Sequence, residues 1–333
     1  MSITSLGDLA TVRMLSRQST DAKAQGQLLA EELTTGVAKD RGRHLGGDLS
    51  TLASLETSLI RLGGYHDAAQ ALSMAAGATQ IAYQAIGTTG LAASGQFLSV
   101  SSLTSEGQIG TIAIAAVDHL GSVVSTLNTR FADRSLFSGQ ATNLAAIVPV
   151  DELLDLAEGV IAGASSLTDA ETMLADWFAD PAGFETQAYL GAAPVGPLAI
   201  APGETASLDL TVMDPTIVET LKALILPALV DRGFLDGQLA AQTNLMQSAG
   251  VRLQELQSSW ADTASRLGTT EAQLDAALSR NSAESSALEL ARLELIGLDG
   301  YETASRLEAV QTQLETIYTL TARIQRLNLA DFL

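Results

Sequence analysis

Apolar residues recur at helical spacing along most of this chain. Leu52, Leu55, Leu59 and Leu62 step by threes and fours, and the pattern resumes at Ala69, Leu72 and Met74. That spacing predicts one long helix from a cap at Asp48 to about Ile86, with the Gly63 and Gly64 pair as its candidate kink. A stretch rich in glycine, serine and threonine, 87–105, reads as a connection or an imperfect helical turn. Ile112, Ala116, Val117, Leu120, Val124 and Leu127 then mark a helix over about 106–129. Shorter helices are predicted at 151–162 and 169–179, the second capped by Asp169, and another at 217–230 with an interruption at Pro227. From about Phe234 the pattern runs nearly unbroken to Ser279, with Leu245, Val251, Leu253, Leu256, Trp260, Leu267 and Leu274 on its apolar side, and it resumes over 281–297.

The two ends carry narrower stripes. Leu6, Leu9, Leu15, Ala22, Leu29, Leu33 and Val37 give the first helix, about 3–37, a loose apolar line that is thin for a core helix and is broken by Gly26. In the last helix Leu307, Val310, Leu314, Ile317, Thr321, Ile324 and Asn328 alternate steps of three and four, a heptad seam with Leu320 and Leu327 on its flank. Two readings fit. One is an amphipathic helix docked on its own domain; the other is a seam that pairs with the N-terminal helix and also packs against neighbouring subunits. On the second reading Leu307, Val310, Leu314, Ile317, Leu320, Ile324 and Leu327 form an assembly interface. The apolar ending at Leu333 favours it, because exposed apolar surface calls for cover.

Between Pro181 and Pro215 the texture changes. The runs 185–190 and 206–213 alternate enough to be strands, and 191–203, punctuated by proline and glycine, reads as turn. The fold class that follows is mainly α with one small β-containing central insertion.

Composition narrows the function. The 333 residues are 47% hydrophobic and 17% charged, enough for two or three domains with real cores. No cysteine is present, which excludes disulfides, thiolate metal sites and thiol nucleophiles. Thirty-eight acidic against 18 basic residues, a net charge of −20, argue against tracking nucleic-acid phosphates. The charge is uneven: the first 43 residues hold six of the basic groups, whereas 135–221 hold none and carry 13 acids. That middle reads as a solvated acidic module. No basic segment precedes an unbroken apolar run at the N-terminus, where Asp8 stands, so no Sec-type signal peptide is predicted. The apolar run 221–230 contains Lys222 and Pro227 and is far too short for a membrane span.

Candidate chemistry is sparse. His44, His66 and His119 lie in no zinc motif, and Asp40 and Asp48 lack the spacing of a calcium loop. The glycine pairs at 46–47 and 63–64 belong to no phosphate-binding fingerprint, and no serine sits in a nucleophile motif. Asp151, Glu152, Asp155 and Glu158 are like-charge neighbours on a helix, which suits a solvated face better than an acid and base pair. The expectation is a protein that is not an enzyme, with no catalytic residues, no cofactor and no metal.

Two C-terminal segments resemble the bacterial flagellin superfamily. RLELIGLDGYETASRL, 292–307, is similar to the family's C-terminal motif, in which an acidic turn and an aromatic residue precede the final helix, and TARIQRLNLADFL, 321–333, resembles its apolar ending. Near the other end, ELTTGVAKDRGRHLGGD, 32–48, resembles the family's helix-to-loop segment, departing from the usual version rich in asparagine and serine. The likeness covers about 1–140 and 240–333. Within the superfamily TRFADRSLFSGQ, 129–140, resembles the hook–filament junction proteins, and Arg134, Phe137, Ser138 and Gly139 mark that family turn.

The resemblance implies discontinuous domains: 1–42 with 301–333 as a terminal coiled coil, 43–180 with 216–300 as a long helical rod, and 181–215 as a small outer β-containing insertion. It implies a structural component of the flagellum that joins hook to filament through helical subunit packing, with flagellin, the repeating filament subunit, as the alternative. The implied partners are hook-side and filament-side flagellar proteins, further copies in a ring or helical layer, and an export chaperone, with no nucleic acid and no membrane span. The implied location is the extracellular flagellum, reached through the flagellar secretion apparatus without a cleaved signal peptide. Assembly of this kind is driven by apolar surface that each added subunit removes from water.

Overall fold

The computed structural model describes residues 3–330, with side chains over 10–324. It is mainly helical, with two small antiparallel hairpins. In chain order the elements are α1 (Ile3–Thr35), α2 (Arg41–His44), α3 (Ser50–Leu98), α4 (Glu106–Leu127), β1 (Arg130–Phe131), β2 (Arg134–Ser135), α5 (Val150–Ile161), α6 (Leu167–Ala179) and α7 (Phe184–Gln187). They continue as β3 (Leu198–Ala201), β4 (Glu204–Ala206), α8 (Pro215–Leu229), α9 (Leu239–Glu255), α10 (Gln257–Ile296) and α11 (Gly300–Ala330). The chain divides into two compact units, 1–63 with 282–333, and 64–281.

In the 64–281 unit α8 is the central element. It is buried almost throughout, from Thr216 to Leu229, by α4, α5, α6 and α9. Asp214 caps it, accepting a bond from Thr216 N at 2.9 Å. The helix does not break at Pro227, because packing on nearly every side outweighs one missing N–H. Against it lies α4, whose Ile109, Ala113, Ala116, Leu120, Val123, Val124 and Leu127 form one buried stripe. By length and composition α4 could also cross a membrane, but its apolar stripe faces protein and the helix carries Glu106, Asp118 and His119.

Several expectations change. Of the two readings of 87–105, residues 87–98 take the helical one, and as a full continuation of α3 to Leu98 instead of an imperfect turn. Gly87 and Gly90 face the Trp260 indole, and a Cβ at position 90 would lie 2.4 Å from Trp260 Cη2. These glycines let an indole rest on a helix backbone instead of turning the chain. The indole N–H donates to Thr220 Oγ1 at 3.1 Å. The long C-terminal run is interrupted at Leu256, between α9 and α10, and then continues past Ser279 to Ile296. The cap of α6 is Ser166, whose hydroxyl accepts from Asp169 N at 3.2 Å, and not Asp169.

The strands also lie elsewhere. Residues 185–187 belong to α7 instead of a strand, because Phe184 is buried and stacks on Phe178 with ring centroids 4.2 Å apart. Tyr189 keeps an antiparallel bridge to Ile147, with Val148 N donating to Ala188 O and Leu190 N to Ala146 O, both at 3.0 Å. The hairpin uses 198–206, of which 198–203 reads locally as turn, with Gly203 at φ 75° between its arms. Ile200 and Ala206 pack with Leu72, Ala76, Leu274 and Ala277, and Asn281 Nδ2 donates to Ile200 O at 2.8 Å. The alternation over 206–213 reflects Leu210 and Val212 entering the core from a loop.

Candidate assembly interface

The terminal helices pair antiparallel. Val37 forms an antiparallel bridge with Gly297, Gly26 stands opposite Val310, and Lys23 Nζ lies 5.6 Å from the centre of the Tyr318 ring. On α1 the buried positions Leu15, Ala22 and Leu29 recur every seven residues, and on α11 Thr303, Val310 and Ile317 do the same. Leu307, Leu314, Thr321 and Ile324 are half-buried between and beyond them. Both helices therefore present one heptad line to each other. Gly26 does not break α1; a Cβ there would make ordinary contact with Val310 Cγ1 at 3.6 Å, so small Ala22 and Gly26 let the two backbones approach.

Of the predicted interface residues, the seam thus brings Leu307, Val310, Leu314, Ile317 and Ile324 to one face. Leu320 is on another side and 43% exposed. The side chain of Leu327 lies outside the described residues, as do those of Leu6, Leu9 and Asn328. The Tyr318 phenol is held below the usual tyrosine range by hydrogen bonds from Lys23 and Ser19.

Local chemistry fixes where these helices start and stop. Gly36, at φ 71°, ends α1, and Ala38 N then donates to Ile296 O at 2.9 Å while Leu298 N donates to Gly36 O at 3.0 Å. Asp299 caps α11, its Oδ1 accepting from Tyr301 N at 2.8 Å and Glu302 N at 3.1 Å. The two sequence segments around 32–48 and 292–307 are therefore one structural joint. Arg41 Nη1, 3.0 Å from Glu56 Oε1, and an ion pair between Lys39 and Glu31 fasten its outer side.

The predicted turn at 129–140 lies in the other unit. Ala132 and Asp133, at φ 47° and 61°, close the two-residue hairpin of β1 and β2, a type I′ geometry that matches strand twist. Arg134 is exposed, whereas Phe137, Ser138 and Gly139 are buried. Ala192 N donates to Ser138 O at 2.9 Å, Gln140 N to Ala193 O at 2.9 Å and Val212 N to Phe137 O at 3.1 Å. Gly139 has φ 60°, and a Cβ there would lie 2.4 Å from two carbonyl oxygens. These three residues stitch loops together inside the unit. Sequence reasoning missed Asn128, which closes α4 by accepting from Ala146 N at 2.8 Å and Ile147 N at 3.0 Å and donating to Ile147 O at 3.0 Å. Its position directly after the helix is the signal that was available.

Two further polar groups find partners within the 64–281 unit. His119 Nε2 lies 3.2 Å from Gln96 Oε1, and partial burial, opposed by the Asp118 charge, holds its pKa below the usual histidine value. Arg232 inserts among Asp155, Asp151 and Glu158, the last two at 3.6 Å, so a cation from outside α5 offsets the like charges predicted to repel there. Among the described residues no three histidines or carboxylates gather into a metal site.

Residues 239–333 match the family model for the bacterial flagellin C-terminal helical region. No curated protein matches the chain in sequence. Among solved structures, a protein from Vibrio parahaemolyticus described as flagellar hook-associated aligns over 74% of this chain and 100% of its own, with a TM-score of 0.53 and 13% identity. FlgL of Bacillus cereus aligns over 72% of this chain and 100% of its own, with a TM-score of 0.48 and 11% identity. The C-terminal helices are thus flagellin-like in sequence, and the chain is similar in fold to the Vibrio protein.

Proposed function

We propose that the chain is a structural subunit of the bacterial flagellum, an adaptor that joins hook to filament through helical packing of its terminal segments. One observation carries this reading: α1 and α11 bury a single line of side chains against each other and leave Val12, Met14, Leu33, Tyr318 and Leu320 in water. A two-helix seam of this width is marginal alone, and further helices from neighbouring subunits would complete it. The flagellin-like sequence of 239–333 supports membership in that assembly class. It favours a second reading equally well, that the chain is itself a repeating filament subunit.

On the first reading hook-side proteins lie below and filament-side proteins above, with further copies beside it in a ring or helical layer. The subunit reaches the extracellular flagellum through the flagellar export apparatus, held before export by a chaperone that covers its terminal helices. Its role is mechanical and it catalyses no reaction; the scattered histidines and the ion-paired acids suit that role. Labelling the protein in intact flagella is the test. One focus at the filament base is the expected result, label along the whole filament supports the repeating-subunit reading, and no flagellar label overturns both.

A further inference from the structure

The 64–281 unit carries an apolar groove of about 650 Å3, walled by Met74, Ile81 and Ala85 of α3, Thr126 of α4, and Phe131 and Leu136 around the first hairpin. Its apolar wall is not covered: Met74 and Ile81 are 51% and 72% exposed. Gly77 and Ala78 line the same stretch of α3, and Glu271 Oε1 lies 3.8 Å from where a Cβ on Gly77 would stand. Beside this wall stands Arg130, and Arg134 pairs with Phe131 across the hairpin. These two are the only lysines or arginines between 62 and 221 of a chain whose net charge is −20. Arg130 donates to the backbone carbonyls of Asn143 and Asp133, and among the described residues neither arginine has a carboxylate partner. The groove therefore pairs apolar walls with two arginines on the hairpin side that have no carboxylate partner among the described residues.

The same chain displays an apolar ridge flanked by two acids, with one cation, Arg292, in the same stretch. On α10, Leu290 and Leu293 are 63% and 49% exposed, three residues apart on one helical face. Glu289 and Glu294 flank them, both exposed and both without an ion pair among the described residues. We propose that the groove of one copy receives Leu290 and Leu293 of a second copy, with Glu289 and Glu294 set toward Arg130 and Arg134. The mode is a helix ridge in an apolar groove, with the charges fixing its register. Because groove and ridge are different surfaces, the contact is heterologous and propagates from copy to copy into a ring or a helical array instead of closing as a twofold dimer. The inference rests on the reading of the chain as an assembling subunit and names where its copies meet.

The absence of cysteine makes the contact directly testable. Full-length Ile81→Cys and Leu290→Cys proteins, carrying different tags, are mixed, assembled and treated with a short bismaleimide. Both positions are exposed, so both variants keep their folds. Cross-linking between the two tags should exceed that of a control pair, Thr168→Cys with Leu290→Cys, by about tenfold. Arg134→Glu in the first copy should reduce it, and Glu294→Arg in the second should restore it. Assemblies that sediment normally yet cross-link groove to ridge no better than the control overturn the inference and leave the assembly reading standing. A chain that forms no sedimenting assembly overturns both.

Discussion

In the 64–281 unit, Phe97, Phe137, Leu120, Leu127 and Leu153 are fully buried, whereas the buried cluster of the terminal pair is Ala22, Leu29 and Val310 with Leu307 and Leu314 only half-covered. Each large side chain fully removed from water contributes roughly 1.5–3 kcal/mol, so the first region gains from many such burials and the second from a few partial ones. Helix length does not explain the contrast, since α1 and α11 are longer than α8. What differs is the number of neighbours around each helix. The central helix α8 is enclosed by α4, α5, α6 and α9, while α1 and α11 cover one line of each other. A helix enclosed on several sides is stable within its own chain, and a helix covered along one line keeps surface available for another chain.

The largest expected effect lies in the enclosed region. Phe137→Ala should lower the unfolding free energy of the 64–281 unit by about 3–5 kcal/mol, read by urea titration, through the cavity it leaves. Hydrogen exchange of the α1 and α11 amides in the same variant should stay as in the wild type; an equal loss of protection there would mean the two regions unfold as one, and the comparison would fail.

The reverse experiment places carboxylates in the seam. On the proposed reading of the chain as an assembling subunit, Leu314→Asp combined with Ile317→Asp should weaken subunit assembly by about a hundredfold, since buried unpaired carboxylates are costly. The urea midpoint of the larger unit should not move. Leu314→Ala with Ile317→Ala should weaken assembly less, and normal filament attachment by the double Asp variant would remove the seam from the assembly mechanism.

A smaller change sharpens the account of the larger unit. Gly90→Ala should cost about 1–3 kcal/mol by pushing a methyl group into the Trp260 ring, with a shift in tryptophan fluorescence, whereas Gly63→Ala, where a Cβ meets nothing within 4 Å, should cost nothing or stabilise slightly. The smallest effect is a pH dependence. Burial lowers the pKa of His119 from the ordinary 6.5, so the unfolded chain takes up that proton more readily than the folded one. The stability that this group contributes is present above 6.5 and is lost as the pH falls from there through the depressed value. His119→Gln should flatten that part of the stability profile without altering the seam.

Much of this was legible in the linear chain, because helical periodicity depends only on backbone geometry and on which side of a helix meets water. The stripe of α4, the heptad line of α11 and the helix stop and start around Asp299 all express such local rules. The seam could be placed on Leu307, Val310, Leu314 and Ile317 before any partner was known, since steps of three and four leave only one face on which they meet. Leu320 reads as a flank of that seam by its spacing, three residues after Ile317, and its exposure follows from its angle around the helix.

The tertiary structure decided whatever depended on a residue far along the chain. Gly87 and Gly90 carry the local signature of a loop, and only Trp260, brought against them by the fold, makes them a helical surface for an indole. Residues 198–201 carry the signature of a turn, and become a strand because Ile200 finds Leu72, Ala76 and Leu274 beneath it. The acids of α5 repel on paper and are held by Arg232 from beyond α8. Local spacing sets which face of a helix is apolar; what that face meets is set by contacts between distant segments, and those exist only once the chain has folded.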